Sequence, residues 1–217
     1  MANEIRSIFL SGTAGRLEAL LNAGDVDAKY AAVVCHPHPL FGGTMHNKVV
    51  YHAMKALSGF GFPVLRFNFR GAGLSEGTHD QGQGEIDDVR TALDFMQDEF
   101  KLPLLFAGFS FGAATGLRTA CPDSRVKALI SLGTPVAVQG RVYTYKFLEH
   151  CAKPKLFISG TRDHYGPVEQ LEQVVALAAP PKELVLIDGV DHFFAGKLDI
   201  MQRALEDWVT AHLLKAI

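Results

Sequence analysis

The chain has 217 residues, 48% of them hydrophobic and 20% charged, with a formal net charge of −2. That much apolar material supports a sizeable core and excludes a disordered polymer. The near-neutral balance excludes a global basic field for nucleic acid or anionic membrane, and no apolar run approaches the roughly 20 residues that span a bilayer.

Short aliphatic or β-branched runs alternate with longer segments of helical period, the pattern of a parallel sheet flanked by helices. Residues 7–10 and 17–21 predict two opening strands joined by a glycine-containing turn. Residues 31–35 predict a buried strand, and Met45, Val49, Val50, Ala53, Met54 and Leu57 follow on one helical stripe. Residues 64–68 predict the next strand, which runs into the turn Arg70-Gly71-Ala72-Gly73. Ile86, Val89, Leu93, Met96 and Phe100 then recur at helical spacing, with Glu85, Asp87 and Asp88 where a helix N-terminus favours negative charge. Residues 104–107 predict a strand, followed by a small-residue helix that ends near Cys121-Pro122. Residues 128–132, 155–159 and 183–187 predict three more strands, with a helix over 168–177. Ile200, Ala204, Trp208, Val209 and Leu213 mark the closing helix. No repeat, low-complexity tract or linker divides the chain, so one domain over residues 1–217 is expected. The 133–154 segment has the weakest pattern and is too short for a folded cap domain.

The strongest chemical signal is Gly108-Phe109-Ser110-Phe111-Gly112, a G-x-S-x-G pentapeptide between a predicted strand and a predicted helix. A serine hydroxyl that projects from so tight a turn needs a strained backbone, and side chains two residues either side would strike the adjoining strand and helix. The helix that follows aims its free amides at the reacting centre. Such a nucleophile needs a base, and the base needs an orienting carboxylate. Asp163, in Gly160-Thr161-Arg162-Asp163, and His192, in Asp188-Gly189-Val190-Asp191-His192, each follow a later strand, where loops of a parallel sheet converge. Ser110 as nucleophile, His192 as base and Asp163 as orienting acid are therefore the expected triad. Asp188 and Asp191 are competing acids but lie too near His192 in sequence, and Asp191 is expected to shape its own loop. His79, His150, His164 and His212 read as surface or loop residues.

A first oxyanion donor is expected from the Phe111 amide, and a second from the loop His36-Pro37-His38-Pro39-Leu40-Phe41-Gly42-Gly43. Pro37 and Pro39 have no N–H, which leaves His38 first and Leu40 second. His36, His38, His46 and His52 suggest a metal cluster, but carboxylates and a consistent ligand spacing are missing, so no metal is expected. His36 reads instead as packed under the loop and bonded to backbone. Gly71 and Gly73 lack the third glycine and the following helix of a dinucleotide fingerprint, and read as a connection beneath the active site. Cys35, Cys121 and Cys151 are far apart in sequence without a C-x-x-C pair, so neither a disulfide framework nor a reactive thiol is expected, and a reducing cytoplasm is. Residues 1–10 carry Glu4 and Arg6 and do not read as a signal peptide.

On the pentapeptide, the ordered Ser110, Asp163 and His192, the His-Pro-His-Pro-Leu-Phe-Gly-Gly loop and the Asn68-Phe69-Arg70-Gly71-x-Gly73-x-Ser75 turn, the chain resembles the α/β-hydrolase superfamily. More narrowly, it is similar to the small, lidless bacterial serine hydrolases related to dienelactone hydrolases, departing from the latter in having serine where they carry cysteine. The resemblance implies an α/β-hydrolase fold, with a mostly parallel eight-stranded sheet, its second strand antiparallel, helices on both faces and no sizeable lid. It implies hydrolysis of small, short-chain carboxylic esters through an acyl-enzyme, without metal or organic cofactor. The expected partner is a small-molecule ester, with no nucleic acid or membrane, for a monomer or small homo-oligomer. Acyltransferase, thioesterase or peptidase activity at the same triad, or a non-catalytic binding module on this fold, are the alternatives. Phe41, Phe109, Phe111, Phe193 and Phe194 flank the site residues, and some are expected to line an acyl site while most fill core.

Overall fold

In the computed structural model, residues 5–138 and 140–214 are described. Two antiparallel strands open the chain, β1 (Ile5–Gly12) and β2 (Gly15–Asn22). They are followed by β3 (Ala31–Cys35), α1 (Lys48–Ser58), β4 (Val64–Phe67), α2 (Glu85–Phe100), β5 (Leu104–Phe109), α3 (Phe111–Ala120) and β6 (Val126–Leu132). A small hairpin, β7 (Ala137–Val138) and β8 (Arg141–Val142), precedes β9 (Lys155–Gly160), α4 (Val168–Leu177), β10 (Lys182–Ile187) and α5 (Leu198–Val209).

Eight strands form one sheet in the order β1-β2-β4-β3-β5-β6-β9-β10. Strand β2 is antiparallel to both its neighbours, and every pairing from β4 to β10 is parallel. Side chains of a strand alternate between faces. Accordingly Ala31, Val33 and Cys35 join the core beneath α2, α3 and α4, while Ala32 and Val34 join the core beneath α1 and α5. Burial on both faces explains why β3 and β5 read as unbroken apolar runs rather than alternating ones.

The parallel strands all end at one edge, with Cys35 opposite Gly108, Phe109 opposite Leu132, and Gly160 opposite Ile187. From β3 the chain crosses to β4 on one side, and from β4 it returns past β3 to β5 on the other. The loops after β3 and β5 therefore separate at the switch point of the sheet, leaving a crevice there.

Three elements depart from their sequence pattern. Met45 precedes α1, because Asn47 caps the helix by accepting from the Val49 amide, while Met45 N–H donates to Asn68. The closing helix loosens after Val209 into a π-turn over Thr210–Leu214, where the Thr210 hydroxyl donates to the Glu206 carbonyl. Glu85 and Asp88 are fully buried rather than exposed at a helix end. Glu85 accepts from the Asp80 and Gly82 amides, and Asp88 accepts from the Arg70 guanidinium at 2.7 Å. Burial pushes the Asp88 carboxyl above its usual range against the pull of Arg70. These buried bonds fasten the 68–85 loop beneath the sheet edge.

Candidate active site

Ser110 leaves β5 and begins α3 with φ 55° and ψ −121°, a conformation that L-residues rarely adopt. The two glycines of the pentapeptide meet the contacts that its turn demands. A Cβ on Gly108 would lie 2.7 Å from the Ala113 backbone, and one on Gly112 would lie 2.4 Å from the His36 carbonyl. Helix α3 is thereby seated directly against the end of β3.

The structure brings Ser110, His192 and Asp163 into one hydrogen-bonded chain. His192 Nε2 lies 2.9 Å from Ser110 Oγ, and His192 Nδ1 lies 2.8 Å from Asp163 Oδ2. Asp163 is 4% and His192 5% exposed, so the bond between them is shielded from competing water, while the Ser110 end opens on a cavity. All of the Asp163 acceptor capacity is used. Oδ2 also accepts from Ser159 Oγ at 3.2 Å, and Oδ1 accepts from the amides of Tyr165 (2.8 Å) and Gly166 (3.1 Å). Burial alone would push this carboxyl up, but the His192 hydrogen bond and charge, with the two amides, hold it below the usual range.

The imidazole is wedged between rings, with Phe109, Tyr165 and Phe193 centroids at 4.9, 4.7 and 5.2 Å. Gly133 makes room for it, since a Cβ there would stand 3.1 Å from His192 Cε1. The competing acids are engaged elsewhere. Asp191 Oδ1 accepts from the Phe193 and Ala195 amides, and Asp188 pairs with the Thr161 hydroxyl.

The 36–43 loop lies across the crevice from these groups. Phe111, as the first residue of α3, has an amide with no carbonyl of its own helix to meet. The Leu40 amide donates to His38 Nδ1 at 3.2 Å, whereas the His38 amide meets no protein acceptor among the described residues. Of the two candidate second donors, the His38 amide is the one left available. An Nδ1 that accepts leaves the ring proton on Nε2. Burial, with Arg141 and His79 nearby, lowers the His38 pKa to about 4.

His36 is fully buried, with Nδ1 2.6 Å from the Pro37 carbonyl and Nε2 accepting from the Phe69 amide. Burial lowers its pKa to about 3 against the Pro37 bond. The early histidines do not converge: His46 is exposed and His52 bonds Gln202. Among the described residues, no three His, Cys, Asp or Glu side chains are grouped to hold a metal ion.

The buried neutral imidazole of His36 predicts acid sensitivity. The unfolded chain binds its proton near pH 6.5 and the folded one only near 3, so the unfolded state gains over that interval as pH falls. The urea midpoint should decline steadily from pH 6.5 to 4, with a loss of at most about 1.4 kcal/mol for each pH step of one. His36→Gln should flatten that slope, and an unchanged slope would refute the assignment.

A cavity of about 340 Å³ opens on Ser110 and His192, lined also by Phe41, Tyr143, Tyr165 and Phe193. Of the five flanking phenylalanines, Phe109 and Phe194 are core, whereas Phe41, Phe111 and Phe193 line this space. Sequence patterning missed Ser159, Tyr165, Arg141 and Tyr143. Ser159 and Tyr165 are visible only as neighbours of Asp163, and the last two lie in the segment with the weakest pattern. His79, read as a loop or surface residue, is in the loop, but its side chain is 6% exposed and 2.7 Å from Glu85 Oε1. Cys121 and Cys151, distant in sequence, are neighbours in space. The proximity of Cys121 draws the Cys151 thiol below its usual range, against burial and with help from Lys153 and Lys155, while Cys121 is raised. The Cys151 side chain nonetheless stays buried.

A mostly parallel eight-stranded sheet carrying a serine on a strained strand-to-helix turn is the architecture of an α/β hydrolase. The family described as "Alpha/beta hydrolase domain" matches residues 31–202. An uncharacterized protein of Rickettsia prowazekii is 33% identical over 209 residues, 93% of this chain and 87% of the relative. A solved structure described as an alpha-beta serine hydrolase homologue from Coxiella burnetii superposes with a TM-score of 0.86 at 36% identity, over 96% of this chain and 98% of that one. A Xanthomonas campestris protein, described as a serine hydrolase without lid, gives 0.84 at 32% identity over 97% and 96%. This chain belongs to the α/β-hydrolase family, and the described residues contain no large lid. No helix among the described residues is long and apolar enough to cross a membrane.

Proposed function

We propose that the protein hydrolyses small carboxylic esters, with Ser110, His192 and Asp163 as its catalytic triad. The observation that carries the reading is the continuous chain from Ser110 Oγ through His192 to a fully bonded Asp163, at the floor of an open cavity. His192 takes the Ser110 proton as Oγ forms a bond to the ester carbonyl carbon. The Phe111 and His38 amides receive the oxyanion. The carbonyl–oxygen bond to the alcohol then breaks, and His192 returns the proton to that alcohol. Water, deprotonated by His192, attacks the acyl-enzyme and releases the acid and Ser110. A cavity of about 340 Å³ favours esters of small acids.

The test is turnover of p-nitrophenyl esters from acetate to decanoate, with fluorophosphonate labelling mapped by mass. Highest kcat/KM among the short acyl chains, with the label on Ser110, is the expected result. No turnover and no label would overturn the reading in favour of a binding module.

A further inference from the structure

Beside the ester cavity lies a second one of about 450 Å³. His38, Phe111, Arg141 and Tyr143 line both, whereas Ser110, His192 and Phe193 line only the first. The second cavity is polar. Gln81, Gln83 and Thr115 contribute neutral donors, and Arg118 and Arg141 are the only Arg, Lys, Asp or Glu side chains among its lining residues. Among the described residues, no carboxylate lines it.

Two independent elements deliver the guanidinium groups. Arg118 lies on α3 seven residues beyond Phe111, which puts it on the same helix face about 10 Å along the axis. The helix dipole accounts for a cation in that last turn. It does not account for Arg141, which arrives from β8, stacks on the Phe41 ring at 5.2 Å and depresses the His38 pKa. Neither arginine meets a carboxylate among the described residues; Arg66 and Arg162 share that property, whereas Arg6, Arg16, Arg70, Arg90, Arg125 and Arg203 are paired.

We infer that this second cavity is a carboxylate-recognition subsite, so that the preferred ester carries an acyl chain ending in a carboxylate. The inference rests on the esterase reading above and names its substrate class. The direction follows from the chemistry. The leaving alcohol must lie beside His192, which protonates it, so the acyl chain runs the other way, past His38 and Phe111 and into the second cavity. A carboxylate suits the site better than a phosphate. Three amides of the 80–84 loop, those of Asp80, Gly82 and Gly84, are turned onto the Glu85 and Asp80 carboxylates rather than toward a phosphate dianion. What remains is planar guanidinium forks, which pair bidentately with a carboxylate without drawing on those amides. The reaction is unchanged at the ester carbonyl, and its products are an alcohol and a dicarboxylic acid.

The test compares mono-p-nitrophenyl suberate with p-nitrophenyl octanoate, two leaving-group-matched esters that differ in the terminal carboxylate. Wild type should favour the suberate ester in kcat/KM by about tenfold or more, with the preference shrinking as salt is raised. Arg118 is exposed, so Arg118→Gln puts no buried contact at risk. It should collapse the ratio of the two kcat/KM values toward unity, and Arg118→Lys should restore part of it. Equal turnover of the two esters by wild type, or a ratio untouched by Arg118→Gln, would overturn the subsite and leave the esterase reading standing. A wild type that turns over neither these esters nor the short-chain series, and takes no fluorophosphonate label, would remove both.

Discussion

Replacing Ser110 with alanine should lower ester turnover by on the order of 10⁴- to 10⁶-fold, because no other group can form the acyl-enzyme. The residual rate would come from the two amides and from binding. Ser110→Gly should be equally inactive but more stable. The backbone at φ 55° is strained for any residue with a Cβ, and glycine relieves that strain by about 1 kcal/mol. A p-nitrophenyl ester assay and urea melts of the three proteins check both halves. Turnover by Ser110→Ala within tenfold of wild type would exclude the nucleophile. A glycine variant no more stable than alanine would show that the elbow stores no strain.

Asp163→Asn should cost about 10⁴-fold in kcat, more than a lost hydrogen bond would suggest. The Tyr165 and Gly166 amides hold Oδ1, so the new amide nitrogen must face His192 Nδ1. A donor in that position forces the ring proton onto Nε2, opposite Ser110, and the histidine can no longer act as base. Asp188→Asn and Asp191→Asn leave the tautomer alone and should stay within a few-fold of wild type, which separates the three acids. The substitution also has a stability signature. The Asp163 carboxyl is held below its ordinary range in the folded state. Its ionised form therefore contributes stability above about pH 4, lost as pH falls through the depressed folded value. The asparagine variant lacks that component of the acid transition. An unaltered acid limb, or full activity in Asp163→Asn, would rule out its proposed role.

Much of this architecture was legible in one dimension. Strand β3 and helix α4 occupy the residues their patterns predicted, because a strand buried on both faces must be continuously apolar and a helix over a core must repeat its apolar stripe. The elbow was legible because Gly108 and Gly112 answer local steric demands. Asp163 and His192 were legible because each follows a strand that must end at the same edge. The rim was not. Arg141 sits on, and Tyr143 directly follows, a hairpin of two-residue strands too short to show a period, and Arg118 looks like any exposed helix cation.

The amino-acid order by itself determined the sheet-and-helix alternation, the nucleophilic turn and which carboxylate and imidazole follow which strands. Those are consequences of local sterics and of periodic burial, which act over a few residues. Only the tertiary structure showed the Leu40 amide engaged by His38 Nδ1 and the His38 amide free of such a bond, since that depends on a side chain folding back onto its own loop. Only it placed Cys121 beside Cys151, buried Glu85 and Asp88, and set Arg118 and Arg141 around one cavity. Those arrangements join segments distant in sequence, and contacts of that kind leave no periodic trace in any one of them.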